Sequence, residues 1–262
     1  MENSLDGRLQ EFKKLLDIMD ELRAKCPWDS KQTYESLRYL TIEETYELSD
    51  AIIEKQYKKI PEELGDLMLH LVFYTKIGSE EGLFGITDVL KGINEKLIRR
   101  HPHIFAETKV KDEQEVRHNW EVIKLKEGNR SVLGGVPNSL PALVKAYRIQ
   151  EKARGVGFEW ETSEESWEKV NEEIQEFKTE IDKKSERIEE EFGDLLFALV
   201  NYARMTGINP EDALEQSNKR FIRRFQFMEG KAKSEHKSLD EMTLDEMEVL
   251  WQEAKRVDDF LS

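Results

Sequence analysis

The sequence has few of the residues that cross-link or interrupt a polypeptide chain. It contains one cysteine, Cys26, among 262 residues, so no disulfide can form within the chain. A lone cysteine is typical of a reducing compartment, and we therefore expect a cytoplasmic location. The six prolines and 14 glycines gather at a few places and leave long stretches without a helix breaker.

Long apolar runs are also missing. No stretch approaches the roughly 20 apolar residues that are needed to cross a bilayer. The first residues, Met1 to Ser4, lack the basic and then apolar order of a signal peptide. We therefore expect neither a membrane span nor a membrane partner.

Positive charge is scarce relative to negative charge. The chain has 40 Lys and Arg residues against 55 Asp and Glu residues, which gives a net charge of −15 at pH 7. Nucleic acid polymers are bound by dense Lys and Arg surfaces, so this balance argues against such a partner. Charged residues make up 36% of the chain and hydrophobic residues 38%. Together with weak strand patterns, this composition predicts an all-α fold of amphipathic helices.

One pattern occurs twice, in the same order. Each copy has a glutamate-rich stretch, a stretch ending in Gly-Asp-Leu, a basic cluster, and a tryptophan four residues before a lysine. Because these landmarks recur in order, the chain is predicted to be a tandem repeat of two helical domains. The paired stretches are 43–47 with 172–176, 63–67 with 191–195, 94–100 with 218–224, and 120–124 with 251–255.

Turn-forming residues concentrate between the two copies. The segment 127–138 contains three glycines, a proline and two asparagines, a composition typical of a linker. We therefore predict an N-terminal domain over residues 1–128, a linker over 129–138, and a C-terminal domain over 139–262.

Helix-start signals flank the acidic stretches. Thr41 and Thr243 are each followed by a glutamate three residues later, which makes each a candidate capping box. Pro61 suits the first turn of the helix that carries Glu63.

The repeated carboxylates have the spacing of a metal site. Side chains three residues apart are neighbours on a helix, and 14 or 15 residues between two such pairs allow a turn and an antiparallel return helix. Four converging carboxylates repel one another unless a cation lies between them. An all-oxygen set without His or Cys suits Mg²⁺, with Mn²⁺ as an alternative. The predicted metal ligands are Glu44, Glu47, Glu63 and Asp66 in the first copy and Glu173, Glu176, Glu191 and Asp194 in the second.

The basic clusters supply groups that complement a phosphate. Arg220, Arg223 and Arg224 lie on consecutive turns of one predicted helix, and Lys255 lies one turn after Trp251. Guanidinium groups bind phosphate in a bidentate manner, and a tryptophan ring can stack on a base. Salt bridges to the many acids, and core packing of Trp251, are the alternative explanations.

The ordered set EExxE and ExxD, present twice, together with CPWD at 26–29 and RRHPHIF at 99–105, closely resembles the MazG family of nucleoside triphosphate pyrophosphohydrolases. The resemblance covers nearly the whole chain and indicates the full-length tandem form. It implies an all-α NTP pyrophosphatase fold whose helical bundles are completed by dimerisation, so a homodimer is expected. It also implies Mg²⁺-dependent hydrolysis of NTPs and dNTPs of broad base range to NMP and pyrophosphate.

The resemblance also assigns roles to residues. It matches the eight acids above to metal ligands, and it matches Lys169, Arg187, Arg220, Arg224, Trp251 and Lys255 to nucleotide contacts. A glutamate would accept the proton of the attacking water, and the candidates Glu172, Glu173 and Glu190 stay unranked. Leu40 lies opposite Lys169 in the repeat. Because the second copy keeps this extra cation, we predict that the C-terminal site is the main one.

Two other classes of protein remain as alternatives to a pyrophosphohydrolase. A non-catalytic acidic helical adaptor would explain the composition but not the recurrent carboxylate spacing. A di-iron bundle needs Glu-x-x-His from each of two helices, and only Glu115 and His118 have that spacing, with no equivalent in the second copy.

Overall fold

The computed structural model describes residues 5–106, 108–112, 115–116, 119–120, 122–123, 127 and 131–261; His118 and Lys124 lie outside them. Every regular element within these ranges is helical, as the composition predicts. The chain divides into two compact units, residues 1–111 and 112–262. The domain and linker boundaries drawn from the sequence remain a prediction.

The described residues of the first unit form five α-helices and one short 3-10 helix. They are α1 (Leu5–Lys25), the 3-10 helix Asp29–Lys31, α2 (Tyr34–Ile53), α3 (Ile60–Glu80), α4 (Ile86–Arg100) and α5 (Pro102–Phe105).

The core of the first unit forms where α1 and α2 pack on α3. Met19, Leu37, Val72, Phe73 and Ile77 are each at most 3% exposed and form one contiguous cluster. Because α2 and α3 are antiparallel neighbours, they bring the first copy's two acidic stretches to the same place.

The second unit repeats this arrangement. The helices that are described over their whole length are α6 (Ala142–Arg154), α7 (Ser163–Lys183), α8 (Ile188–Met205), α9 (Pro210–Ser234) and α10 (Leu244–Leu261), with a 3-10 helix at Leu239–Glu241. The pair α7 and α8 corresponds to α2 and α3, and α6 packs against α8 as α1 packs against α3. The tandem all-α repeat is therefore confirmed, and the completion of the bundles by a second chain stays a prediction.

Capping residues determine where the principal helices begin. Thr33 caps α2 reciprocally with Ser36, and Thr162 caps α7 with Glu165. The expected cap at Thr41 is wrong, because Thr41 lies inside α2 and its hydroxyl donates to the Leu37 carbonyl at 3.0 Å. At α10 the expected box is confirmed, since the Glu246 N–H donates to the Thr243 hydroxyl at 3.3 Å. Pro61 lies in the first turn of α3, as predicted.

No helix within the described ranges is both long enough and apolar enough to cross a bilayer.

Candidate functional site

Each unit gathers three carboxylates at one point between its central helices. In the first unit they belong to Glu44 of α2 and to Glu63 and Asp66 of α3. In the second they are their repeat equivalents, Glu173 of α7 and Glu191 and Asp194 of α8. Within each group, one oxygen per residue lies within 4.8 Å of the others.

The donor set fits a hard divalent cation. An octahedral Mg²⁺ ion with bonds of about 2.1 Å places opposite ligand oxygens about 4.2 Å apart. The oxygens of each group lie within 4.8 Å of one another, so the three carboxylates are close enough to share one such ion. Three carboxylates without a nitrogen or sulfur ligand also match the preference of Mg²⁺ and Mn²⁺ for oxygen.

The fourth predicted acid of each set, Glu47 or Glu176, lies outside the three-residue group but influences it electrostatically. Burial raises the pKa of Glu44, and the charges of Asp66 and Glu47 raise it further. Burial likewise raises the pKa of Glu176, with Glu173 adding to the effect. Burial is thus the larger cause of both pKa shifts, and like charges on the same helix and on the facing helix add to it.

Two cations accompany the acidic cluster of the second unit. Lys169 Nζ lies 2.8 Å from Glu172 Oε1 and 2.7 Å from Glu173 Oε1. Hydrogen bonds to Glu172 and then Glu173 raise the pKa of Lys169 well above its usual value. Arg187 contributes Nη2 to Glu191 at 2.6 Å and Nε to Glu190 at 3.0 Å.

The first unit's cluster lacks this compensation. Leu40 replaces Lys169 and packs against the apolar core. Within the described part of the chain, Glu44, Glu63 and Asp66 form no ion pair. Burial raises the pKa of Glu63, Glu47 raises it further, and Lys59 lowers it only in part. The negative charge of the three acids is therefore offset by neighbouring cations in the second unit but not in the first.

This difference predicts opposite effects of removing one carboxylate. In chelator at pH 7, Glu44→Gln should raise the temperature of thermal unfolding, because it removes repulsion. A carboxyl whose folded pKa is raised contributes stability below its unfolded pKa and loses it as pH rises through the folded pKa. The gain of Glu44→Gln should therefore shrink as pH falls toward 4.

The matched change is Glu173→Gln, which weakens the pair with Lys169 and should lower the unfolding temperature under the same conditions. Calorimetry of both variants, with and without Mg²⁺, tests the comparison. Equal shifts in the two variants would show that the cations do not balance the second cluster.

A cavity of about 560 Å³ adjoins the second cluster. Its lining includes Lys169, Glu173 and Asp194, and it continues to the aromatic side chains Phe158, Trp160 and Phe197. Charged groups that suit a metal and phosphates therefore border the same space as apolar rings. Clefts of this size accept small organic ligands.

At the equivalent positions of the first unit, larger side chains are packed. His70 replaces Ala198 and is 7% exposed, and Phe73 replaces Asn201 and is 2% exposed. The hydroxyl of Thr41 lies 2.9 Å from His70 Nδ1 and 2.7 Å from the Tyr74 hydroxyl. His70 and Phe73 thus hold the repeat positions whose counterparts, Ala198 and Asn201, line the cavity of the second unit.

The basic residues of α9 and α10 lie outside the residues that line the cavity. Asp258 forms ion pairs with both arginines: its Oδ1 lies 3.1 Å from Arg223 Nη2, and its Oδ2 lies 3.0 Å from Arg224 Nε. The Arg220 guanidinium donates to the Ser217 hydroxyl at 2.7 Å. Salt bridging, the alternative explanation for these arginines, thus accounts for two of them in the isolated chain.

Trp251 and Lys255 share α10 with Asp258. The ring of Trp251 lies 5.2 Å from that of Phe221, between centroids, and Arg224 lies 5.9 Å above it. Lys255 is half-buried one turn further along. Their roles in nucleotide binding stay predictions.

Several residues that line the cavity were not identified from the sequence, and the polar and aromatic ones among them are Gln150, Trp160, Phe197 and Asn201. Asn201 could have been recognised from the sequence, because it is a polar residue on the apolar face of α8 and lies seven residues, about two turns, after Asp194. No sequence pattern marks Gln150 or Trp160, since their approach to α8 depends on how α6 and the following loop pack.

Comparison with known proteins agrees with the repeated sites. A family pattern described as the MazG nucleotide pyrophosphohydrolase domain matches residues 32–105 and again 161–226. These two ranges contain both acidic clusters.

Relatives in other organisms are similar over almost the whole chain. The Thermotoga maritima protein named nucleoside triphosphate pyrophosphohydrolase/pyrophosphatase MazG is 42% identical over 253 residues, which cover 95% of this chain and 97% of that protein. The Escherichia coli K12 nucleoside triphosphate pyrophosphohydrolase is 40% identical, with 95% and 98% covered. The uncharacterized protein YabN of Bacillus subtilis is 48% identical and extends further, since 52% of it is covered. The twofold family match and these full-length similarities confirm the resemblance, and the chain belongs to the MazG family of nucleotide pyrophosphohydrolases.

Proposed function

We propose that this protein is an enzyme that hydrolyses nucleoside triphosphates to NMP and pyrophosphate with Mg²⁺, and that the C-terminal unit is its main active site. The observation that carries the proposal is the cluster of Glu173, Glu191 and Asp194 at the edge of a ligand-sized cavity, with Lys169 beside it. The names of the full-length relatives support the reaction.

Water is the only co-substrate that this hydrolysis needs. Water adds its oxygen to the α-phosphorus, the bond from that phosphorus to the bridging oxygen of the β-phosphate breaks, and the bridging oxygen leaves with pyrophosphate. The water proton needs an acceptor. In an experiment in ¹⁸O-labelled water, the label should appear in NMP and not in pyrophosphate.

Glu173, Glu191 and Asp194 are the residues that would hold the metal ion. Glu176 is proposed as a fourth ligand, and the charges of Glu173 and Glu191 already act on its carboxyl group and help to raise its pKa. A bound Mg²⁺ ion would neutralise phosphate charge and polarise the phosphoryl oxygens. These side chains come from two helices, α7 and α8, that pack against each other, so helix packing brings the carboxylates together.

Lys169 and Arg187 are placed to neutralise the negative charge of the substrate phosphates. Both are paired with carboxylates of the site in the isolated chain. With Glu173 and Glu191 engaged in holding the metal ion, the ammonium group of Lys169 and the guanidinium group of Arg187 would be available for phosphate oxygens. They would then stabilise the charge that develops on the leaving pyrophosphate.

The proton acceptor is proposed to be one of three glutamates. Glu173 belongs to the metal cluster, whereas Glu172 and Glu190 lie outside it, each paired with one of the two cations. Glutamate oxygens that are not used in metal coordination keep a lone pair for the proton.

The wider properties proposed are a broad range of bases, a cytoplasmic location, a homodimer, and no nucleic acid polymer or membrane as a partner. Exposed apolar side chains on α8, Phe192 at 47% and Leu196 at 40%, support self-association. Sedimentation equilibrium that shows a monomer at micromolar concentration would refute the homodimer.

Product analysis tests the function. We expect the pure protein to convert each NTP and dNTP to NMP and pyrophosphate in Mg²⁺, and to show no turnover in chelator. NDP and phosphate as products would move the attack to the γ-phosphorus. Absence of turnover with every nucleotide would favour the acidic adaptor instead.

A further inference from the structure

One side of α2 in the first unit carries three large apolar side chains in a row, which we call the α2 stripe. Tyr39 is 63% exposed, Ile42 is 43% exposed and Tyr46 is 54% exposed. Their spacing of three and four residues places them on one face of the helix. The buried residues of α2, Leu37 and Ala51, lie on the opposite face and belong to the interior of the unit.

The second unit has polar residues at the equivalent positions. The same face of the helix is exposed in both units, but it is apolar only in the first. Three large apolar side chains that stay in water add little to the stability of the folded chain, because apolar groups gain free energy when they leave water. A contiguous exposed group of this kind is typical of a contact surface. The equivalents of the α2 stripe on α7, all exposed, are Glu168, Asn171 and Gln175.

Acidic side chains border the α2 stripe. Glu35 lies one turn before Tyr39, and Glu43 and Asp50 follow one edge of the stripe; all three acids are exposed. Arg38 is the only basic residue of α2. A second copy that docked by the same face would bring like charges together, since a twofold contact joins a surface to itself. Anionic lipids would be repelled by the same acids. The charges therefore favour a basic protein partner.

We propose that the α2 stripe binds a basic amphipathic helix of another protein. The stripe extends about 10 Å along α2, or about two helical turns. A partner helix with apolar residues at positions i, i+3 and i+7 has the same spacing. Lys or Arg residues beside that apolar face would pair with Glu35, Glu43 and Asp50. The two tyrosines suit this role, because tyrosine is enriched among the residues that contribute most to interface affinity.

The probe for this surface is a labelled peptide of leucine and lysine, about 18 residues long, which forms a basic amphipathic helix of about five turns. Fluorescence anisotropy measures its affinity for the full-length protein and needs no nucleotide. The decisive variant gives α2 the polar residues of α7: Tyr39→Glu, Ile42→Asn and Tyr46→Gln. It should bind the peptide at least about tenfold more weakly. The unfolding temperature should stay close to that of the unaltered protein, since all three positions are exposed.

The reciprocal variant is the matched control. Glu168→Tyr, Asn171→Ile and Gln175→Tyr place the apolar side chains on α7, where Glu164 and Glu172 hold the positions of Glu35 and Glu43. This variant should bind a second peptide molecule, which a titration at high protein concentration detects. A stoichiometry that stays at one would contradict recognition by the stripe and its acidic edge.

Three further results would overturn the proposal. The first is equal affinity of the basic peptide for the unaltered protein and for the decisive variant. The second is equal binding of a peptide in which glutamate replaces each lysine, because the charge of the partner would then be irrelevant. The third is a decisive variant that is monomeric in sedimentation equilibrium where the unaltered protein is dimeric, which would show that a second copy covers this face.

Discussion

Asp194→Asn is expected to reduce the turnover of nucleoside triphosphates by at least about a thousandfold, which corresponds to about 4 kcal/mol of lost transition-state stabilisation. Asp194 belongs to the three-carboxylate cluster and lines the cavity. The amide removes one negative charge and one strong oxygen ligand while it keeps the size of the side chain. Initial rates of pyrophosphate release at saturating Mg²⁺ give the measurement.

Asp66→Asn is the matched control in the first unit. Asp66 has the same place in the repeat and the same type of cluster, but the larger side chains of His70 and Phe73 are packed beside it. We expect this variant to keep most of the activity. Full activity of Asp194→Asn combined with an inactive Asp66→Asn would show that the N-terminal unit is the main site.

Glu159→Ala is expected to destabilise the second unit by about 3 kcal/mol, because it leaves the buried Arg204 without its carboxylate. Two further N–H groups of Arg204, Nε and Nη1, have no acceptor among the described residues, so Glu159 is the principal compensation for its charge. The measurement is thermal unfolding followed by calorimetry, with the two units treated as separate transitions.

Arg154→Met provides the comparison for this stability effect. It removes only the outer pair, between Glu159 and Arg154, whose arginine side chain is 42% exposed, and it should cost about 1 kcal/mol or less. Replacement of both Glu159 and Arg204 by Met should restore much of the loss, since no buried charge is then left alone. A Glu159→Ala variant as stable as Arg154→Met would contradict the role given to the buried pair.

Local spacing accounts for the parts of the site that could be predicted. The i,i+3 pair Glu63 and Asp66 and the return length to Glu44 are properties of two helices and a short turn, so the sequence predicts their convergence. Three of the four acids in each predicted set come within 4.8 Å of one another. The wrong prediction of a cap at Thr41 shows the limit of such local patterns. The helix α2 already begins after Thr33, which forms the capping box with Ser36, so Thr41 lies inside the helix.

The order of helices, the duplication, the acidic clusters and the family were all determined by the sequence, because they depend on periodicity and composition along the chain. The tertiary structure alone decided that the second cluster adjoins a cavity and that Glu159 of a loop reaches Arg204 of α8. It also decided that His70 and Phe73 are packed where the second unit has Ala198 and Asn201. These features depend on the packing of side chains from segments far apart in the chain, which no local pattern encodes.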